Sequence, residues 1–109
     1  MVKELPADTT KAAFDEEVAK YPGKVVVVDF FATWCGPCKT IGPKLKAMEE
    51  EWPEKLVVLK VDVDDCPEIA ESMGISAMPT FFIFKNGSKV SDVVGANESK
   101  LREAISAQF

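Results

Sequence analysis

Two cysteines, Cys35 and Cys38, are the residues of this chain best suited to chemistry, and they enclose Gly36 and Pro37. The four residues follow an apolar run and precede a helical pattern. Backbone N–H groups and the macrodipole at a helix start stabilise negative charge, so Cys35 should lose its proton more readily than a free thiol. Cys38 lies one turn further on, on the apolar stripe, and Pro37 stiffens the turn. We therefore predict a redox-active disulfide between Cys35, the exposed nucleophile, and Cys38, the buried resolving thiol.

Two other interpretations of this cysteine pair are a zinc half-site and a pair of inert buried thiols. The chain contains no histidine, so zinc would need Cys66 and carboxylates as its remaining ligands. The absence of histidine also excludes Ser-His-Asp and Cys-His catalysis. Because the pair lies between a predicted strand and a predicted helix, the redox interpretation is favoured, with no bound metal.

Two charged residues interrupt apolar runs. Asp29 breaks the run from Val25 to Phe31, and burial should raise the pKa of its carboxyl because a low dielectric disfavours the charged form. Strand alternation puts Asp29 on one face with Val25, Val27 and Phe31. If the Cys38 helix covers that face, Asp29 could accept the proton that Cys38 loses, directly or through a water. The alternative for Asp29 is a structural carboxylate bonded to backbone. Lys60 interrupts the next run and either pairs with Asp29 or extends to the edge of the sheet.

Length and composition place the chain among ordinary globular proteins. It has 109 residues, of which 47% are hydrophobic and 28% charged, and this predicts a single domain over residues 1–109. The net charge of −5 argues against nucleic acid as a partner, because phosphate binding needs a basic surface. No apolar run has the length of a signal peptide or a membrane helix. We therefore expect a soluble, cytoplasmic protein without membrane association, in a reducing compartment.

Two periodicities alternate along the chain and predict the elements that position these residues. Strands are expected at residues 2–5, 24–32, 56–61, 80–84 and 89–94. Helices are expected at residues 10–20, 38–52 and 67–73, and after Asn97, whose side chain suits a helix cap. Asn86-Gly87 predicts a hairpin, since both residues tolerate positive φ. The order βαβαβαββα predicts a parallel core extended by an antiparallel hairpin, with helices on both faces.

Several segments, in order over essentially the whole chain, resemble the thioredoxin family. The most specific is Trp-Cys-Gly-Pro-Cys-Lys at residues 34–39. The others are Val27, Asp29 and Phe30, then Ala32-Thr33, Pro43, Lys60-Val61-Asp62, Met78-Pro79-Thr80 and Gly95-Ala96. The resemblance implies an α/β thioredoxin fold, with a central five-stranded mixed sheet flanked by four helices.

The resemblance also implies a substrate site beside Cys35. Met78–Pro79 would be a cis peptide facing the cysteines, whereas the residues alone say only that X-Pro bonds are where cis peptides occur. A shallow apolar groove would be formed by Trp34, Met78, Pro79, Gly95 and Ala96. A substrate strand could then add to the backbone at Met78. The alternatives are plain core packing for Trp34 and Met78 and an ordinary trans proline.

The function implied by the resemblance is protein-disulfide reduction by a monomeric thiol-disulfide oxidoreductase. Disulfide-containing proteins would be its clients. The resemblance implies that electrons come from NADPH through thioredoxin reductase, and the chain has no Gly-rich nucleotide motif of its own. One alternative is a disulfide oxidase or isomerase, whose relatives usually carry histidine between the cysteines. The other is a non-catalytic module that binds a partner in one redox state.

The chain departs from part of the family at a few positions. Phe31 stands where many bacterial members have a second tryptophan, and residues 61–66 and 76–79 look closer to eukaryotic cytosolic members. Either Asp62 or Asp64 is expected to hydrogen-bond the Trp34 indole, and the residues alone do not decide between them. Cys66 lies outside the cysteine pair at a predicted helix start. It is either a regulatory thiol open to oxidation or glutathionylation, or, as base rates favour, an ordinary buried residue.

Overall fold

Strands and helices follow one another along the chain in the predicted order βαβαβαββα. The structure, a computed structural model, describes residues 2–109. In chain order the elements are β1 (Val2–Glu4), α1 (Lys11–Val18), β2 (Val25–Phe31), α2 (Gly36–Glu51), β3 (Leu56–Asp62), α3 (Pro67–Ser72), β4 (Thr80–Lys85), β5 (Ser88–Val94) and α4 (Glu98–Ser106). For these residues the predicted fold of five strands and four helices is confirmed.

The strands form one mixed sheet in the order β1-β3-β2-β4-β5. β3 runs parallel to both β1 and β2, while β4 runs antiparallel to β2 and β5. In this register Asp29 of β2 lies opposite Lys60 of β3 on one side and Phe81 of β4 on the other. β2 is therefore a central strand, which explains why its sequence is almost continuously apolar.

Helices cover both faces of the sheet. On one face, α1 and α3 pack on β2, β3 and β4 through a core that includes Phe14, Val18, Val28, Phe30, Ile69 and Phe82. On the other face, α2 and α4 pack through a core that includes Val25, Val27, Leu45, Met48, Leu101 and Ile105. Because side chains alternate along a strand, Asp29 lies on the same face as Val25 and Val27, beneath α2, as predicted.

Local signals set the ends of the elements. The Asn97 side chain caps α4 by accepting a hydrogen bond of 3.0 Å from the Lys100 N–H. Asn86 and Gly87 form the predicted hairpin turn with φ of 52° and 81°. α2 begins at Gly36, two residues before its expected start, because an apolar stripe marks only the buried positions of a helix and not its first turn.

Candidate active site

The cysteine pair lies where β2 passes into α2. Cys35 is the N-cap of α2, with an extended backbone at φ −87° and ψ 109°, and its N–H donates to the Ala32 carbonyl at 3.1 Å. Pro37 occupies the first turn, where a missing N–H costs nothing. Cys35 and Cys38 form a disulfide with their Cα atoms 5.3 Å apart. The predicted placement of the pair at a helix start is therefore confirmed.

The expected difference in exposure between the two cysteines is wrong for this oxidised form. Cys35 is 5% exposed and Cys38 is 6% exposed. Each sulfur covers the other in the disulfide, and Phe31, Val63 and Met78 pack against the pair. The two cysteines differ instead in their surroundings. Cys38 lines the cavity beneath α2 that Asp29 also lines, whereas Cys35 does not.

Asp29 is a buried carboxylate at the centre of the sheet. It is 1% exposed, and its Oδ1 accepts no hydrogen bond from residues 2–109. Burial raises the pKa of the Asp29 carboxyl to about 6, although the positive charge of Lys60 acts in the opposite direction. The raised pKa follows the prediction, and the unpartnered oxygen argues against the alternative of a carboxylate fully bonded to backbone.

The Lys60 side chain packs over an aromatic ring of β2 and not directly against Asp29. Its ammonium lies 4.4 Å from the centre of the Phe31 ring, a cation–π contact, and the side chain is half-buried. Within the described residues, no contact ion pair joins Lys60 to Asp29, so the pairing alternative holds only as an attraction between separated charges. The aromatic ring of β2 holds the ammonium near the carboxylate without contact, and its charge still lowers the pKa of Asp29.

The Asp29→Asn variant is expected to be more stable than the wild type at neutral pH. The folded-state pKa is raised from 3.8 to about 6, so folding favours the protonated carboxyl. That stabilisation is complete below pH ~4 and is lost as the pH rises through ~6. Asparagine resembles the neutral carboxyl, so the free energy of unfolding should rise by roughly 3 kcal/mol at pH 8 and change little at pH 3.5. Urea denaturation at both pH values measures this difference.

A matched control for this prediction is Asp64→Asn, which neutralises an exposed carboxylate. We expect its difference from the wild type to be small and nearly independent of pH. An equal effect of Asp29→Asn at the two pH values would contradict the assignment of a raised pKa to Asp29.

Asp64, and not Asp62, hydrogen-bonds the Trp34 indole. The Trp34 Nε1–H donates to Asp64 Oδ2 at 2.9 Å, and the Trp34 side chain is 66% exposed. Asp62 is buried, and its carboxylate accepts hydrogen bonds from the Asp64 N–H at 2.9 Å and the Asp65 N–H at 3.4 Å. Asp62 therefore stabilises the turn that follows β3. The exposure of Trp34 excludes the core-packing alternative for this residue.

The two neighbouring carboxylates should therefore respond differently to truncation. Asp62→Ala removes the acceptor of two partly buried N–H groups and is expected to cost about 1–2 kcal/mol of stability. Asp64→Ala removes a bond at the surface and should cost under ~1 kcal/mol while changing Trp34 fluorescence. Chemical denaturation monitored by circular dichroism, together with emission spectra, tests both. The reverse order of stability effects would contradict the assignment of the two roles.

The segment implied to form the substrate groove lies beside the disulfide. Met78–Pro79 is a cis peptide, as the resemblance implied, and Met78 packs against the cysteine pair. The Gly95 N–H donates to the Pro79 carbonyl at 2.8 Å, which joins the end of β5 to the start of β4. Gly95 has φ of 96°, a conformation that favours glycine. Ala96 follows it as an exposed residue.

Cys66 lies in the core on the α1 and α3 face, away from the cysteine pair. It is 0% exposed, and its Sγ–H donates to the Pro6 carbonyl at 3.3 Å. Burial raises the pKa of the Cys66 thiol, which is the direction opposite to activation. These observations favour the interpretation of Cys66 as an ordinary buried residue over that of a regulatory thiol.

The sequence did not predict that five α2 residues would line the cavity beside Asp29 and Cys38. These are Lys39, Gly42, Pro43, Leu45 and Lys46. Cys38, Gly42 and Leu45 follow one another at spacings of four and three positions, as do Lys39, Pro43 and Lys46, and this is the helical signal that places them on one side of α2.

The arrangement defines a class of protein. A Cys-Gly-Pro-Cys disulfide at the N-terminus of a helix, beside a cis-proline loop on a five-stranded mixed sheet, is the site of a thiol-disulfide oxidoreductase. The thioredoxin family model matches residues 6–107, and the chain belongs to that family.

Known relatives and solved structures agree with this assignment. The chain is 48% identical to thioredoxin of Echinococcus granulosus over 107 residues, covering 98% of this chain and 94% of the relative. It is 46% identical to thioredoxin-1 of Saccharomyces cerevisiae over 98 residues, covering 90% and 92%. The crystal structure of reduced Schistosoma mansoni thioredoxin pre-protein superposes with a TM-score of 0.88 at 45% identity, covering 99% of this chain and 98% of the other.

Within residues 2–109, no group of three or more cysteine, aspartate or glutamate side chains is placed to hold a metal ion. Over the same residues, none of the helices has the length and apolar character needed to cross a bilayer.

Proposed function

We propose that this protein reduces disulfide bonds in other proteins by exchange with the Cys35–Cys38 dithiol. The observation that carries the proposal is the cysteine pair itself, which forms a disulfide at the N-cap of α2. Members of the thioredoxin family are thiol-disulfide oxidoreductases, and this chain has the dithiol that such chemistry requires.

The reaction proceeds in two exchange steps. The Cys35 thiolate attacks one sulfur of the client disulfide, forms a mixed disulfide and releases the other client sulfur as a thiolate. The Cys38 thiolate then attacks the Cys35 sulfur and displaces the second client sulfur. The client leaves with two thiols, and two electrons have passed to it from the Cys35–Cys38 pair, which becomes a disulfide. Helix α2 stabilises the Cys35 thiolate in the reduced state through its N-terminal N–H groups.

Asp29 is proposed to accept the proton that Cys38 must lose before its attack. Both residues line the same cavity, and Asp29 Oδ1 has no hydrogen-bond partner within residues 2–109. A carboxylate whose pKa lies near 6 is a better base than an ordinary aspartate. Lys60 supports this role by limiting how far burial raises that pKa.

The client is proposed to bind in the groove beside Cys35. Trp34, Met78, Pro79, Gly95 and Ala96 form its walls. A client strand would pair with the backbone at Met78, because strand addition supplies affinity without requiring particular side chains. This mode suits a reductase that acts on many unrelated proteins.

We propose that NADPH, through thioredoxin reductase, reduces the oxidised Cys35–Cys38 pair back to the dithiol. A reductant of this kind needs a compartment in which its dithiol is regenerated, so we place the protein in the cytoplasm. We further propose that it acts as a monomer, with thioredoxin reductase and disulfide-containing proteins as its partners.

The proposal is tested by following NADPH oxidation with thioredoxin reductase and insulin as the client. Insulin-dependent consumption of NADPH that scales with the concentration of this protein is expected. A second measurement, the reduction potential of the Cys35–Cys38 pair, separates a reductase from an oxidase. A strongly oxidising potential together with no insulin reduction would refute the reductase function.

A further inference from the structure

A cavity of about 490 Å³ lies between α2 and the sheet on the side of Cys38. Its apolar walls include Val2, Pro43, Leu45 and Val58. A cavity of about 150 Å³ is large enough to bind benzene in an apolar protein interior, so this one can hold a substituted ring. The cavity lies apart from the groove beside the cis-proline loop, since neither Trp34 nor Met78 lines it.

Polar groups are distributed unequally in this cavity. At its inner side lies Asp29, a buried carboxylate whose Oδ1 accepts no hydrogen bond from the described residues. Toward solvent lie three lysines: Lys39 and Lys46 on α2, which are exposed, and Lys60 on β3, which is half-buried. A ligand that matches this arrangement has a hydrogen-bond donor at its inner end and a negative charge at its outer end.

Gly42 leaves part of this space unfilled. It lies in the interior of α2, where glycine is less favourable than alanine, and a Cβ built at this position meets no atom of another segment within 4 Å. A residue that precedes a proline is sterically restricted, and this favours glycine before Pro43. The open space beside Gly42 nevertheless belongs to the cavity. A larger side chain at position 42 therefore offers a way to fill the cavity.

We propose that this cavity binds small aromatic carboxylates that carry a hydroxyl group opposite the carboxylate, and that their binding slows the resolving step. The hydroxyl donates to the Asp29 carboxylate, the ring packs on Leu45 and Val58, and the ligand carboxylate is held by the lysines. A ligand in this position removes the acceptor that Cys38 uses, so resolution slows while attack by Cys35 is unaffected. This second part depends on the proposed reductase function.

The binding part is tested on the oxidised protein by ¹H–¹⁵N NMR titration with 4-hydroxybenzoate. We expect a Kd on the order of 1 mM, as suits a ligand of this size, with shifts at Asp29, Gly42, Leu45 and Lys60. Benzoate lacks the donor, and 4-hydroxybenzyl alcohol lacks the charge. Each should bind about tenfold more weakly. Equal affinity for the three compounds, or shifts centred on Trp34 and Met78, would overturn the proposal.

Two variants locate the site independently of activity. Gly42→Leu fills the cavity and should abolish the shifts, with the dispersion of the NMR spectrum showing that it remains folded. Lys46→Gln removes a surface charge and should weaken 4-hydroxybenzoate binding severalfold while leaving the affinity for 4-hydroxybenzyl alcohol unchanged. Unchanged binding of 4-hydroxybenzoate to both variants would place the ligand elsewhere.

The regulatory part is tested by the rate at which a preformed mixed disulfide resolves. Saturating 4-hydroxybenzoate should slow release of a peptide thiol from Cys35 at least fivefold in the wild type, and not in Gly42→Leu. Binding at the cavity with an unchanged release rate would refute this part. A protein that binds the probe but never reduces insulin would instead show that the proposed function has failed.

Discussion

Replacement of Cys35 by serine is expected to reduce turnover of insulin disulfides by at least about 10³-fold, because a hydroxyl cannot form the mixed disulfide. Stability should change little relative to the reduced wild type, which also lacks the Cys35–Cys38 disulfide, since serine retains a side-chain acceptor at the N-cap of α2, where the Cys38 N–H donates. The measurement is NADPH oxidation with thioredoxin reductase and insulin, beside the unfolding transition of the same sample.

Cys66→Ala is the matched control for the Cys35 variant. Cys66 is the free cysteine of the chain and is buried on the opposite face of the sheet. The rate of insulin reduction by Cys66→Ala should stay within about twofold of the wild-type rate. The free energy of unfolding should fall because the substitution leaves a small cavity. Insulin reduction that survives in Cys35→Ser, or disappears in Cys66→Ala, would refute the assignment of Cys35 as the nucleophile.

Replacement of Cys38 by serine is expected to trap the client on the protein. Cys35 can still attack, but no second thiolate is available to displace the client sulfur, so the mixed disulfide accumulates. Mass spectrometry after exposure to a peptide disulfide should show one peptide per protein, released by dithiothreitol. Steady-state turnover should fall by roughly 10²-fold or more.

The trapped species also tests the role of Asp29. In Asp29→Asn, which retains both cysteines, the mixed disulfide should persist transiently, and its decay should be slower than in the wild type at pH 7. The Cys35→Ser/Cys38→Ser protein should trap no peptide. Rapid peptide release from Cys38→Ser would remove Cys38 from the mechanism, and decay at the wild-type rate in Asp29→Asn would remove Asp29.

Much of the site could be predicted from the sequence because its placement depends on residues that are close together along the chain. Cys-Gly-Pro-Cys between an apolar run and a helical stripe predicts a dithiol at a helix start, since that placement follows from chain order alone. Strand alternation likewise predicted which residues share a face with Asp29, and the apolar run around Asp29 predicted its burial. The hairpin at Asn86-Gly87 and the cap at Asn97 are local in the same sense.

Contacts between distant segments could not be predicted in this way. The choice of Asp64 over Asp62 as the partner of Trp34 depends on how the turn after β3 folds back over the start of α2. The position of Lys60 over the Phe31 ring, rather than against Asp29, depends on side-chain conformations across two strands. The predicted exposure of Cys35 is wrong for the oxidised form because the prediction considered a free thiolate. In the disulfide, each of the two sulfurs is buried against the other.

The sequence by itself determined the order of the elements, the dithiol at the start of α2 and the buried carboxylate in β2, because each follows from the spacing of residues along one segment. Only the tertiary structure decided that Asp29, Cys38 and three lysines share one cavity. That cavity exists because β2, β3 and α2 meet there, and the distance between side chains on separate segments depends on how those segments pack.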